Sequence, residues 1–450
     1  MTRCDVAVIG AGAAGLAAAR ALADAGRHVV VLEARDRIGG RVHTVHAPGL
    51  ASPIELGAEF VHGTPHELWE LIEAAALPVC DAVEEHLTFD GARIGGRESF
   101  SDEIGEVLGT LDDWLRQPER ADQTFDALLE ERFAAERFAD ARAQARAYVE
   151  GFHAAVSARA GVRALARAEH ASSGNDQAFR VIGGYAQVMD WLHAGAGAPL
   201  DVWFSTRVRG VRWSRDGVHV DATNPDGEPV VLGANACVVT LPLGVLAAGD
   251  VAFDPPLDAK RDALAGIEAG HVVRIVLRFR RRFWESRDGV PNLADDADPS
   301  CLSFVHVPGG DVPVWWTQRA LRTPVLVGWA GGSTALALRG HPPARRIDVA
   351  VASLARTLGL SEARVREELV SAHHHDWSAD PFARGAYTFV HPDGMGAGAA
   401  LAEPLGDALY FAGEHTVSDG DWGTVHGAIR SGRRAAAQVL ATMREAAARG

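Results

Sequence analysis

Lysine is all but missing from this chain. Lys260 is the only one in 450 residues, so nearly all of the positive charge is arginine, which stays protonated at working pH. Cysteine is scarce too. Cys4, Cys80, Cys237 and Cys301 are scattered without a C-x-x-C pairing, which excludes a paired-cysteine motif and makes buried thiols in a reducing cytoplasm the expectation. No apolar run reaches the ~18–20 residues that span a bilayer. The C-terminal "AAQVLATMREAAARG" is too charged to do so, and no membrane anchor is expected. The net charge of −15 disfavours nucleic acid as a partner; it reads as solubility, or as steering of cations toward the protein. Neither an internal repeat nor a disordered tract is visible. At this length the chain is too long for one ordinary core and is expected to hold two domains.

The most informative stretch lies near the start: "VAVIGAGAAGLAAARALADAGRHVVVLEARDRIGGR". Val6 to Ile9 reads as a short buried strand, and Gly10, Gly12 and Gly15 form G-x-G-x-x-G. Leu16 to Ala25 is alanine-rich and helical, Gly26 ends the helix, and "HVVVLE" is a second strand closing on Glu33. Glycines at that spacing let the backbone turn tightly against a pyrophosphate, which then sits at a helix N-terminus where free N–H groups favour an anion. An acid ending the second strand accepts hydrogen bonds from ribose hydroxyls. The small-residue run after Arg3 is not expected to be a secretory signal, because Asp5, the glycine spacing and the lack of a cleavage-site context argue against one.

Farther on, "RIGGRVHTVHAPGLASPIELGAEFVHG" is irregular and glycine-rich. From about Phe100 to Ala168 apolar residues recur at helical spacing, as at Phe125, Leu128, Leu129 and Phe133, and read as a packing layer. The period then switches to two from Asp201, with turns at Asp216-Gly217 and Asp226-Gly227, which predicts hairpin-linked strands. "RIVLRFRRRFW" and "PVLVGWAGG" read as further strands, with the basic run at a solvated strand edge. Ala344 to Leu358 reads as helix, and "DALYFAGEHT" followed by "GTVHGAIRSGRRAAAQVLATM" is strand, glycine loop and helix again. Strand-turn-helix units at both termini predict one domain assembled from separated pieces, with a second inserted between them. His373, His374 and His375 are not expected to bind metal, since consecutive strand residues point to opposite faces.

"EARDRIGGR", "ELGAEFVHG", "VTLPLGVL", "WSADPFARGAYTF" and "YFAGEHTVSDGDWGTVHGAIRSGRRAA" occur in that order from about residue 5 to residue 440. This series resembles the flavin-containing amine oxidases, the group of monoamine oxidases, polyamine oxidases and lysine-specific histone demethylases. The resemblance implies an α/β (mixed α+β) chain with the two-domain FAD-dependent amine oxidase architecture. A Rossmann-like dinucleotide-binding domain would comprise residues 1–78, 178–280 and 385–450, and a substrate domain of sheet plus helices residues 79–177 and 281–384.

The cofactor it implies is FAD. Gly10, Gly12, Ala14 and Gly15 would admit the pyrophosphate, Glu33 with Ala34 and Arg35 would hold the adenosine ribose, and Gly40 and Arg41 would meet phosphate. Val208 resembles the position whose backbone meets the adenine. Gly57, Ala58, Trp377, Gly413 and Glu414 resemble positions along the flavin, and Thr424 and Val425 start the helix that would face its pyrimidine ring. Ala386 stands where monoamine oxidases carry the cysteine that bonds flavin, so binding is expected to be non-covalent.

On the substrate side, Tyr387 resembles an aromatic lining the amine path, and Thr424 replaces a second aromatic wall. Glu59 and His62 would bind a substrate ammonium or tune its proton, or else lie on the surface. Arg274 occupies the place of a lysine that usually reaches flavin N5 through a water. The activity implied is oxidation of a C–N bond to an imine and then an aldehyde. The substrate would be a small cationic amine or polyamine, and reoxidation by O2 would give H2O2. Two alternatives stay open: an FAD-dependent desaturase of a non-amine, and an amine dehydrogenase using an acceptor other than O2, for which Arg274 leaves room.

Overall fold

The computed structural model describes residues 2–83, 85–95, 98–172, 177–196 and 199–449. Continuous β-branched runs build its first sheet. Thr2–Ile9 pairs in parallel with Val29–Leu32 on one side and Pro229–Val239 on the other. All four residues of Val29–Leu32 are buried, as are Val6 to Ile9, which suits a parallel core covered on both faces. Asp201–Trp203 extends the sheet beyond Val29–Leu32. Leu409–Phe411 lies parallel to the end of Pro229–Val239, and an antiparallel meander of Arg207–Ser214 and Gly217–Thr223 continues from its beginning. The turns at Asp216-Gly217 and Asp226-Gly227 fall at the two hairpins of that meander.

The first helix, Ala13–Asp24, and the last, Val425–Arg449, pack together against this sheet. Gly432 permits their close approach, because a Cβ there would lie 2.1 Å from the carbonyl oxygen of Ala14.

A second sheet orders its strands Leu369–Asp376, Val272–Phe279, Val325–Gly331, Val314–Thr317, Phe304–His306, His86–Phe89 and Ile94–Gly95. Helix Pro343–Leu358 contributes Val351, Leu354 and Leu358 to the core on it. Helices between Glu98 and Ser172 close around Trp114, Phe125, Leu128 and Leu129, as the helical spacing predicts.

Two features differ from the sequence expectations. Segment 178–280 is expected in the dinucleotide-binding unit, yet Val272–Phe279 belongs to the second sheet, so sheet membership changes before residue 272. That strand is also interior, bonded on both sides, while the basic run 278–282 at its end is solvated as expected, with Arg280 and Arg281 exposed. Strand length and composition do not report which neighbours a strand finds; that depends on pairings with residues some fifty and a hundred positions away. A small third sheet joins Val61–His62 and Val79–Ala82 to either side of Ala178–Val181, setting Arg180 beside the loop that carries Glu59.

Candidate functional site

All the residues expected to act in the site, from Gly10 to Val425, line one cavity of about 1080 Å³ between the two units. That exceeds the roughly 300–1,000 Å³ typical of a small-molecule site, so there is room for a dinucleotide and a substrate together.

At one end the chain leaves the first strand at Ile9 and enters the first helix at Ala13, with Gly12 as N-cap and no side chain capping it. The first helical bond runs from the Leu16 N–H to the Gly12 carbonyl, so the preceding N–H groups remain for an anion. Gly15 must be glycine, since a Cβ would lie 1.9 Å from the Gly10 oxygen, and open space lies where Gly12 would carry a Cβ. Ala14, Gly40 and Ala34 add backbone to this wall. Glu33 accepts the Ala11 and Arg35 N–H groups at 2.7 and 2.8 Å, and burial pushes its carboxyl above the ordinary value. Arg35 is held by Asp380 at 2.7 Å, and buried Val208 lines the same wall. An uncapped helix start, an open glycine and a strand-end acid fit a dinucleotide.

Arg41 bridges to the other end. It donates to Glu414 at 2.8 Å and to the carbonyl of buried Ala386. Glu414 also accepts the Gly423 N–H at 2.9 Å and the Thr388 hydroxyl at 3.1 Å. Burial alone would raise its carboxyl, but Arg41 foremost outweighs that and holds it below the usual value. The loop between Gly413 and Val425 is thereby tied down. The Thr424 hydroxyl donates to the Asp421 carbonyl at 2.6 Å and accepts the Gly427 N–H at 3.0 Å, which caps the last helix. Trp377 is buried and donates to the Leu56 carbonyl at 3.0 Å.

The wall beside Gly57 and Ala58 carries charge. Glu59, expected to meet a substrate ammonium or lie on the surface, is buried with both oxygens taken. Arg180 Nε donates to one at 2.7 Å, and Arg274 Nη2 donates to the other. Trp316 Nε1 adds a bond at 3.3 Å, and Arg274 Nη1 reaches the Gly57 carbonyl at 3.2 Å. Burial would raise the Glu59 carboxyl, but Arg274 and Arg180 together hold it below its ordinary value.

Phe60, under Arg180, and His62 lead from this wall to an aromatic chamber. Tyr387 donates to the Phe152 carbonyl at 2.7 Å, and Phe152 stacks on Tyr148 at 5.5 Å. His62 packs tilted against Phe60 at 5.9 Å and edge-on to Phe152 at 6.0 Å. Sequence patterns do not single out Glu169, whose carboxylate lines the chamber and meets the Tyr148 hydroxyl at 3.0 Å and His153 Nε2 at 3.0 Å. Burial first, then the Glu169 charge, pushes the Tyr148 phenol well above its usual range, so it stays a donor. Glu169 sits in a helix rich in Ala, with Arg163 and Arg167 before it, and nothing local marks it. Arg180 also escapes the motifs, though a charged residue between Phe179 and Val181 in a strand is a signal of a buried partner.

Among the described residues, no helix is long and apolar enough to cross a membrane. The family model for flavin-containing amine oxidoreductases matches residues 13–440. Polyamine oxidase 2 of Arabidopsis thaliana is 30% identical, over 96% of this chain and 87% of its own length. Human lysine-specific histone demethylase 2 is 28% identical over 97% of this chain but only 53% of its own. A cofactor-binding double mutant of putrescine oxidase superposes with a TM-score of 0.80 at 25% identity, over 98% of this chain and 99% of that one. With the family model matching nearly the whole chain and a relative at 30% identity over most of both chains, the chain belongs to the flavin-containing amine oxidoreductases.

Proposed function

We propose that this enzyme oxidises a small amine carrying a second, protonated nitrogen, a diamine or polyamine, with FAD held non-covalently. The observation that carries the reading is Glu169, a carboxylate facing the aromatic chamber and oriented by Tyr148 and His153. Helix Ala139–Phe152 ends at the same place, and its Gly151 and Phe152 carbonyls accept from Trp329 and Tyr387. A helix C-terminus and a carboxylate both favour a cation. Among relatives, putrescine oxidase is named for a diamine and several others for polyamines.

Bound FAD supplies the two-electron sink that takes a substrate CH–NH bond to C=N, and water then releases aldehyde and ammonia or a smaller amine. The residues do the rest. Gly12 to Gly15 and Arg41 would hold the cofactor's phosphates and Glu33 its ribose. Tyr387, fixed by its bond to the Phe152 carbonyl, would wall the path to the reacting nitrogen. Arg274, with Glu59 and Arg180, puts net positive charge in the wall, which disfavours an ammonium there and favours the neutral amine that reacts. Glu169 holds the other nitrogen protonated. Dioxygen is the proposed acceptor, with hydrogen peroxide as product.

Two results are expected. On a panel of putrescine, spermidine, benzylamine and amino acids, anaerobic flavin bleaching should be fastest with the first two. Their kcat/KM should fall as salt rises, because an acidic protein steers cations. Salt-independent turnover with benzylamine ahead would overturn the substrate reading. Separately, acid or heat should release all the yellow colour into the supernatant. Ala386 carries no thiol, and none of the four cysteines lines the cavity. Colour retained in the precipitate would disprove non-covalent binding.

A further inference from the structure

The wall formed by Glu59, Arg180 and Arg274 contains more charge than its stability requires. One carboxylate and two guanidiniums sum to one net positive charge, and the side chains are 1%, 4% and 2% exposed respectively. An Arg–Glu pair would already be neutral. A second buried guanidinium adds a desolvation cost that a purely structural role does not explain. The remaining hydrogen bonds of the two guanidiniums go to neutral groups, from Arg180 Nη1 to the Arg319 carbonyl at 2.8 Å and from Arg274 Nη1 to that of Gly57. Arg180 lies over the Phe60 ring at 4.6 Å and Arg274 over the Trp316 ring at 5.2 Å. Arg180 Nη2 and Arg274 Nε are buried without a hydrogen-bond partner. The neighbouring carboxylate, Glu55, is pushed by burial up to about 7, so below neutrality it is mostly uncharged. In such a setting, a fixed charge is screened far less than at a surface.

Arg274 lines the cavity beside Gly57 and Ala58, whereas Arg180 does not line it and sits behind Glu59 and Phe60, which do. We propose that Arg180 is a positioning residue that turns the neutral Glu59–Arg274 pair into a net cationic wall and thereby raises the reduction potential of the bound flavin. Two electrons taken up with one proton leave the ring one charge more negative, and a fixed cation across the cavity favours that state. Arg180 also fixes the Glu59 carboxylate against Arg274, so the charge stays in place. The inference rests on the flavin site and not on the choice of amine. A chain that oxidised no amine on the panel would leave its test intact.

The test is the two-electron reduction potential of the purified holoenzyme, read against a reference dye at pH 6, where Glu55 is mostly protonated. Arg180→Gln and Arg180→Met remove the second charge, and Arg180→Lys keeps it. The double variant Arg180→Met/Glu59→Gln restores one net positive charge without the original contacts. Both neutral variants should show about a tenfold weaker preference for the reduced form, a fall of about 30 mV for a two-electron couple. Arg180→Lys and the double variant should stay within about threefold of wild type. Arg180→Gln retains a donor for Glu59, so it carries the test if Arg180→Met does not fold. An unchanged potential in the neutral variants would overturn the proposal. So would a double variant that falls as far as the single one, since packing and not charge would then be responsible.

Discussion

Glu59→Gln is expected to lower the unfolding free energy by about 3–5 kcal/mol, the usual penalty for removing one partner of a buried ion pair. Here the penalty falls on two guanidiniums at once. Arg274 and Arg180 each bond to Glu59, and with a neutral amide between them they would face one another as like charges away from water. The amide oxygen can still accept one of the two bonds, but its NH2 group would meet the other arginine donor to donor. Urea unfolding of the holoenzyme at fixed saturating FAD reads the effect, since ligand linkage is then the same for both proteins. Arg180→Met should cost less, because it leaves the Glu59–Arg274 pair intact. A loss below about 1 kcal/mol for Glu59→Gln would mean that water or a rearranged loop reaches the cluster.

The second large effect is on specificity. Glu169→Gln should lower kcat/KM for putrescine or spermidine by about 10- to 100-fold, matching the roughly 1.5–3 kcal/mol of a hydrogen bond to a charged group. A monoamine of similar bulk should change by less than about twofold, because it carries no second nitrogen for the carboxylate. Tyr148→Phe should give part of the same loss, since Tyr148 donates to Glu169 and fixes its orientation. Steady-state kinetics on both amines decides the matter. Equal losses for diamine and monoamine would show that Glu169 supports the chamber's shape and does not recognise a cation.

Much of the dinucleotide side is legible in the sequence, and for a local reason. Gly10, Gly12, Gly15 and Glu33 lie in one strand-turn-helix-strand unit, where each residue's task follows from the backbone around it. The steric demand is equally local, since the Cβ that Gly15 lacks would strike the neighbouring Gly10. The helix over Pro343–Leu358 and the hairpins after Asp201 are legible too, because periodicity and turn residues act over a few positions.

Glu59 shows where that legibility stops. Its place in "ELGAEFVHG" points to the flavin's neighbourhood, and it does line the cavity. Yet its partners lie 121 and 215 residues away, on strands of two different sheets. Whether a carboxylate meets a substrate's ammonium or the chain's own arginines depends on which strands pair and in what register. Glu169 is the converse case: a Glu on an alanine-rich helix with no motif around it, set apart only because Tyr148 and His153 converge on it from the preceding helix and the turn after it. Val272–Phe279 completes the pattern, a strand whose sequence predicts extension but not its place between two partners. The sequence alone thus determined the strand-glycine turn-helix-strand unit and the family plan, because short-range backbone geometry and ordered motifs dictate them. Only the tertiary structure decided which groups meet Glu59 and Glu169, because a buried charge takes its meaning from groups brought to it through space.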